Sequence, residues 1–144
     1  MEHLAIMKKV WKLTDKILSG DKKIESRWYS VKCKPWNRIG KGEIIYFKDS
    51  GESVRAKAEV NKVLQFADLT PKKVHDILSK YGKDIGIENK RSSDFFQIFK
   101  NKKYCIIIFL KNPTKIEPFE IDKTGLGTMS SWITISDINK IKRG

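Results

Sequence analysis

The stretch from Val54 to Asn61 constrains this chain more than any other. Val54, Ala56, Ala58 and Val60 are small or apolar, while Arg55, Lys57, Glu59 and Asn61 between them are polar. A period of two places successive side chains on opposite faces, so the segment predicts a strand with one face buried and the other in water. Such a strand needs a partner, and one precedes it. Glu43 to Lys48 is centred on Ile44-Ile45-Tyr46-Phe47, and Asp49-Ser50-Gly51-Glu52 between the two segments has the residue types that make turns. Strand, turn and strand predict an antiparallel hairpin around which a sheet can assemble.

The remaining segments fit around that hairpin. Leu4 to Met7 reads as a short strand. Val10, Leu13, Ile17 and Leu18 recur at helical spacing, and Gly20 offers a left-handed stop. Lys22 to Trp28 reads as a second strand, followed by an irregular basic loop from Tyr29 to Gly42. Thr70 as cap, Pro71 at the first helical position and the stripe Val74, Ile77, Leu78, Tyr81 predict a helix. Ser92 or Ser93 is positioned to cap a second short helix carrying Phe95, Phe96 and Phe99. Tyr104 to Leu110 predicts a buried strand closed by Pro113, Ile116 to Ile121 an edge segment, and Trp132 to Ile135 the last strand. Gly125-Leu126-Gly127 reads as a short turn rather than a phosphate loop, and the basic tail from Asp137 as a short helix or a frayed end. The order β-α-β-β-β-α-α-β-β, without repeat or linker, predicts one α+β domain over 1–144. Its core is a small closed or half-closed β-barrel, with a helical insert at about 70–103.

Charge narrows the choice of partner. Thirty Lys and Arg stand against seventeen Asp and Glu in 144 residues, a net charge of +13. A small domain this basic has a polyanion as its natural partner, although a generally lysine-rich composition gives the same total. No apolar run approaches the roughly 20 residues of a membrane-spanning helix, and the N-terminus has no signal-peptide pattern. The two cysteines, Cys33 and Cys105, fit neither a disulfide framework nor a metal site and read as reduced thiols, which suggests a cytoplasmic protein. His3 and His75 lack metal-spaced partners, so neither a metal nor a cofactor is expected.

One motif carries chemistry. Gly20-Asp21-Lys22-Lys23-Ile24-Glu25-Ser26-Arg27 reads G-x-K-x-x-E-x-R after an amphipathic helix. The glycine allows a sharp turn from helix to strand, and Lys22 at that turn is a long cation able to reach outward. Lys23, Glu25 and Arg27 share one strand face. Cations flanking a carboxylate can take phosphate while the carboxylate orients them or accepts from a base amino group. An ordinary strand-face ion pair between Glu25 and Arg27 would have the same spacing.

The motif resembles the signature of the ASCH domain, a branch of the PUA-like superfamily. Gly42 to Phe47 is similar to that family's G-D-x-I-x-F strand, and Arg55 to Val60 to the strand after it. The resemblance is best from about Thr14 to Phe66. It implies a PUA-like mixed β-barrel and, as in many such domains, RNA or DNA bound in the cleft beside the motif. A bacterial branch is an acetylcytidine amidohydrolase, in which the motif lysine acts with a threonine three residues on and a glutamate on a later strand. Those positions here are Lys22, Glu25 and Glu59. A carboxylate has no hydroxyl to serve as an acyl nucleophile, though it can act as a general base. The resemblance therefore implies a binding module first, with RNA favoured over DNA. A metal-independent amidohydrolase or ribonuclease using Lys22, Glu25 and Glu59 comes second.

Aromatic residues complete the expected interface, because bases stack on exposed rings while cations hold phosphates. The expected binding set is Lys22, Lys23, Glu25, Arg27, Trp28, Trp36, Arg38, Lys48, Ser50 and Trp132. The hairpin turn from Lys48 to Gly51 is expected to form one lip of the cleft. Core packing is the competing reading for Trp28, Trp36 and Trp132, and Trp11 reads as core.

Overall fold

The alternating segment becomes a long central strand. β1 (Glu2–Met7) and α1 (Leu13–Ser19) precede the motif strand β2 (Ile24–Tyr29), and the hairpin follows as β3 (Ile44–Asp49) and β4 (Val54–Phe66). β4 buries Val54, Ala56, Ala58 and Val60 and turns Arg55, Lys57 and Glu59 toward water. α2 (Pro71–Ile85) and α3 (Ser92–Phe99) then separate β4 from β5 (Tyr104–Phe119), and β6 (Trp132–Ile135) comes last. This computed structural model describes residues 1–124 and 131–143, so the Gly125-Leu126-Gly127 turn expected from the sequence lies outside the described residues. No helix among the described residues is long and apolar enough to cross a membrane.

Six strands form one mixed sheet in the order β2-β5-β4-β3-β1-β6. β1 runs parallel to β3, and the other pairs are antiparallel. The sheet curls until its edges approach each other. Arg27 of β2 reaches the carbonyls of Ser131, just before β6, and Ile6 of β1 at 3.3 and 3.4 Å. The result is an α+β half-closed barrel, with its open seam between β2 and the β1/β6 edge.

β5 shows why its sequence is apolar without a break. Ile106 and Ile108 pack into the barrel interior with Ala5, Phe47, Ala58 and Val60. Cys105 and Ile107 point the other way, into a second cluster with Val74, Ile77, Ile85 and Phe95 of the insert. A strand covered on both faces loses the polar half of its pattern. Each fully buried side chain of this size contributes about 1.5–3 kcal/mol. A third cluster, with Leu4, Val54, Ile133, Ile138 and Ile141, closes the other end. The tail is tied there by an Ile121–Lys142 bridge and by the Ile138 amide, which donates to Glu2 at 2.7 Å.

Four expectations change. Pro113 does not close β5, which runs on to Phe119 and pairs Lys115 with Ala56 and Thr114 with Lys57. The ladder shifts register there, and Asn112 has φ +53°, so Pro113 sits at an irregularity that needs no ladder amide. The segment from Ile116 is thus internal, and the sheet edges are β2 and β6. Val10 is not on the helical stripe. It lies in a single 3-10 turn, Lys9–Trp11, and is 80% exposed, because Lys12 at φ +53° separates that turn from α1. Neither Ser92 nor Ser93 caps α3, whose cap position is Arg91, whereas Thr70 does cap α2 by accepting from the Lys73 amide.

His3 of β1 is fully buried. Trp132 Nε1 donates to its Nδ1 at 3.2 Å, so Nε2 carries the proton and donates to Glu43 at 2.7 Å. Burial pulls this imidazole below its ordinary value of 6.5, against the opposing pull of Glu43. The fold then holds the neutral ring while the unfolded chain takes up a proton. Stability from this group is present above pH 6.5 and is lost as pH falls through the folded-state value. Urea midpoints measured at constant ionic strength should therefore decline from pH 7.5 to pH 5. His3→Gln should flatten that decline; an unaltered slope in the variant would remove His3 as its source.

Candidate functional site

The motif begins where α1 ends. Gly20, at φ +87°, turns the chain out of the helix, and its amide donates to the Ile17 carbonyl. The next turn sends Lys22 inward rather than outward, which corrects the expectation of a reaching cation. Lys22 is fully buried, and its ammonium donates to the carbonyls of Ile24 and Ile85, both at 2.6 Å. Glu25 Oε1 lies 3.4 Å from the same ammonium. The cause is the C-terminus of α2. Its last carbonyls have no partner within the helix and carry the negative end of the dipole, so cations are drawn to them. Lys22 takes Ile85, and Lys16 takes the Gly86 carbonyl at 2.9 Å. Gly86 is at φ +99°, a left-handed conformation that favours glycine, and a β-carbon there would only touch that of Lys22 at 3.4 Å. Burial pulls the Lys22 ammonium below its ordinary range, and Glu25 opposes that pull.

Glu25 links two cations. Its Oε1 also accepts from the Ser26 amide at 3.0 Å, and its Oε2 accepts from Arg27 at 3.3 Å. Arg27 in turn donates to the Ser131 carbonyl and hydroxyl at 3.3 and 3.2 Å and lies over the Trp132 ring, 5.1 Å from its centroid. A charged chain Lys22–Glu25–Arg27 thus runs from the insert to the far edge of the sheet.

A cleft of about 300 Å³ opens above this chain at the seam. Glu25, Ser26 and Arg27 line it together with the aromatic side chains of Trp11, Trp28, Tyr29 and Phe99, and Lys8 and Lys102 contribute cations. Trp28 stacks on Phe99 with centroids 4.7 Å apart and donates Nε1 to the Ser26 hydroxyl at 3.0 Å. A smaller cavity of about 50 Å³, lined by Trp11, Glu25 and Phe95, reaches Lys22. Burial pushes the Tyr29 phenol up to about 12, so it stays protonated and donates to the Lys34 carbonyl at 2.8 Å.

Of the expected set, the structure brings Glu25, Arg27 and Trp28 to the cleft wall, with Lys22 behind Glu25. Trp132 is buried beneath Arg27 rather than lining the cleft. Lys23 is exposed just outside β2, its amide donating to Asp84 and its carbonyl accepting from Leu110. Lys48 and Ser50 do not form a lip, because neither lines the cleft. A register shift between Phe47 and Lys48 breaks the alternation and leaves Lys48 and Asp49 both buried. Trp36 and Arg38 line a separate depression with Lys32, Cys33 and Lys34. Glu59 does not join Lys22 and Glu25. It sits on the outward face of β4 with Lys111 3.5 Å away, so the trio expected of a hydrolase is not assembled.

Sequence reasoning missed Trp11, Lys8, Tyr29, Phe99, Lys102 and Ser131 in the cleft. Trp11 reads as core only if one helix runs through Lys12, and no local signal announces the break there. Lys8, Lys102 and Ser131 meet solely through the curling of the sheet. Among the described residues no group of three His, Cys, Asp or Glu could hold a metal ion.

No family model and no curated protein matches this sequence. Solved structures do. The structure of ASCH from Zymomonas mobilis superposes with a TM-score of 0.67 at 16% identity, covering 93% of this chain and 87% of that one. A serine-to-alanine variant of the same protein gives 0.69 at 15% identity, over 96% and 91%. This chain has the ASCH fold. The N-terminal domain of McrB from Staphylothermus marinus shares less of it, with a TM-score of 0.50 at 12% identity over 81% and 75%. In the ASCH fold as this chain builds it, the motif strand is an edge, and its charged residues occupy the gap that the barrel leaves open.

Buried ion pairs are costly to break, because the remaining charge keeps its desolvation penalty. Glu25→Gln leaves the buried Lys22 ammonium and the Arg27 guanidinium without their carboxylate. It should lower unfolding free energy by about 3–5 kcal/mol in urea titrations. Adding Lys22→Met should recover part of that loss. If the double variant is as unstable as the sum of both single variants, the two side chains are not coupled.

Proposed function

We propose that this chain binds single-stranded nucleic acid, RNA in preference, and takes one base into the seam cleft. The observation that carries this reading is the Glu25–Arg27 pair in a cleft with aromatic walls and basic neighbours. A space of about 300 Å³ is at the small end of ligand sites and suits one base or nucleoside rather than a duplex. Single-stranded bases are recognised by stacking on aromatic rings and by hydrogen bonds to their exposed edges. Trp11, Tyr29 and Phe99 supply rings. The Glu25 carboxylate accepts from an exocyclic amino group, while Arg27 donates to a neighbouring ring acceptor. Cytosine and adenine offer such an edge and uracil does not. The net charge of +13 supplies the field that draws a phosphate backbone to the surface.

A hydrolase is the second reading. It draws on Lys22, whose ammonium adjoins Glu25 below the cleft. Against it, that ammonium already donates to two carbonyls, and Glu59 lies elsewhere.

Fluorescence anisotropy with labelled octamers tests the binding reading. Affinity should fall linearly with salt on a log–log scale, by about 0.7 per phosphate contacted on a single strand. Cytosine and adenine octamers should bind more tightly than uracil. Arg27→Ala should abolish that preference, and Arg27→Lys should not restore it, since a point charge cannot replace the planar fork. Salt-independent affinity or equal binding of all homopolymers would overturn the reading. Turnover of acetylcytidine above a Lys22→Met control would replace it with the hydrolase.

A further inference from the structure

The loop between β2 and β3 holds a second concave surface that the seam cleft does not use. Lys32, Cys33, Lys34, Trp36 and Arg38 line a depression of about 240 Å³. Among the described residues no ion pair involves Lys32, Lys34 or Arg38, although Arg27 and Arg55 are both matched with carboxylates. Three unmatched cations on one short loop form a local field that seeks an anion.

The loop backbone is held in place. Asn37 and Gln65 exchange two hydrogen bonds, both of 2.7 Å, which fasten the loop tip to β4. Trp36 donates its amide to the Cys33 carbonyl at 2.9 Å, and Arg38 its amide to the Pro35 carbonyl at 2.8 Å. The Trp36 ring packs edge-on against Tyr104, with centroids 5.3 Å apart, and Lys32 Nζ lies 5.8 Å from each of those two rings. The cations therefore project from a fixed frame.

Tyr29 joins this surface to the cleft. Its ring lines the cleft, its hydroxyl donates to the carbonyl of Lys34, and it is opposite Tyr104 in the β2–β5 ladder. One side chain thus separates the place proposed for a base from the three cations.

We infer that the Lys32–Arg38 loop is a phosphate subsite for the nucleotide adjoining the one whose base enters the seam cleft. The strand then leaves the cleft past Tyr29, with its backbone on Lys32, Lys34 and Arg38 and the exposed part of Trp36 open to the next base. This inference rests on the seam-cleft reading and adds a direction to it. Phosphate contacts position a strand, and base contacts specify it. The two sites should therefore separate experimentally.

The test compares wild type, the triple variant Lys32→Ala/Lys34→Ala/Arg38→Ala and Arg27→Ala, using labelled cytosine and uracil octamers over a salt series. All three loop side chains are exposed, so the triple variant should keep the wild-type urea midpoint. It should bind the cytosine octamer about tenfold more weakly at low salt, with a salt slope shallower by about 0.7 to 1.4, one or two phosphates' worth. Its preference for cytosine over uracil should survive. Arg27→Ala should do the reverse, losing the preference and keeping the slope. Cys33 gives an independent readout, since it is exposed among the cations and Cys105 is buried. Saturating cytosine octamer should slow maleimide labelling of Cys33 in wild type. A triple variant with unchanged affinity and slope, or a Cys33 labelled equally fast in the complex, would overturn the loop subsite and leave the cleft standing. An Arg27→Ala variant that keeps the base preference would instead remove the cleft reading.

Discussion

The Glu25 carboxylate sits between the Lys22 ammonium and the Arg27 guanidinium, almost wholly out of water. Desolvating such charges costs several kcal/mol per ion, and only close partners offset it. Each charge in this chain is accordingly fixed by something else. Lys22 is fixed by the terminal carbonyl of α2, Glu25 by the amide of Ser26, and Arg27 by carbonyls of β1 and of the residue before β6. One network thereby fastens the helical insert to the motif strand and the motif strand across the open seam. Without it, β2 would be an uncovered edge and the barrel would have nothing to set the width of its gap.

That gap is also the cleft. A barrel closed by backbone hydrogen bonds between β2 and β6 would have no room there. A barrel held by side chains leaves a space of about 300 Å³, with the Glu25–Arg27 pair set into its wall. The aromatic wall follows from the same arrangement. Trp28 leaves the motif strand on the face opposite Arg27 and stacks on Phe99, so α3 is drawn to the rim and brings Lys102 with it. Structural and cleft-lining roles are thus carried by neighbouring residues of one short strand.

Much of the fold was legible because it rests on local patterns. The period-two alternation of Val54 to Asn61, the Thr70-Pro71 start of α2 and the unbroken apolar run at Cys105 each have one economical structural reading. The failures share a cause. Pro113 looks like a strand end, but the ladder shifts register beside it. Val10 and Trp11 look helical, but Lys12 adopts a left-handed conformation. Neither deviation leaves a mark within its own few residues. The site was legible in part. Glu25, Arg27 and Trp28 follow from the motif, whereas Lys8, Lys102 and Ser131 come from segments that curvature alone brings together.

The sequence by itself determined which strands form, which of their faces are apolar, and that Lys22, Glu25 and Arg27 lie within one turn and strand. It also determined the excess of positive charge, which needs no fold to be counted. Only the tertiary structure decided where those charges point. Lys22 turns inward because the end of α2, more than sixty residues away in sequence, presents carbonyls that need a donor. Glu59 stays outside because β4 alternates about a core that Glu59 cannot enter. Side-chain direction on a strand is fixed by register, and register is settled by partners that are distant in sequence.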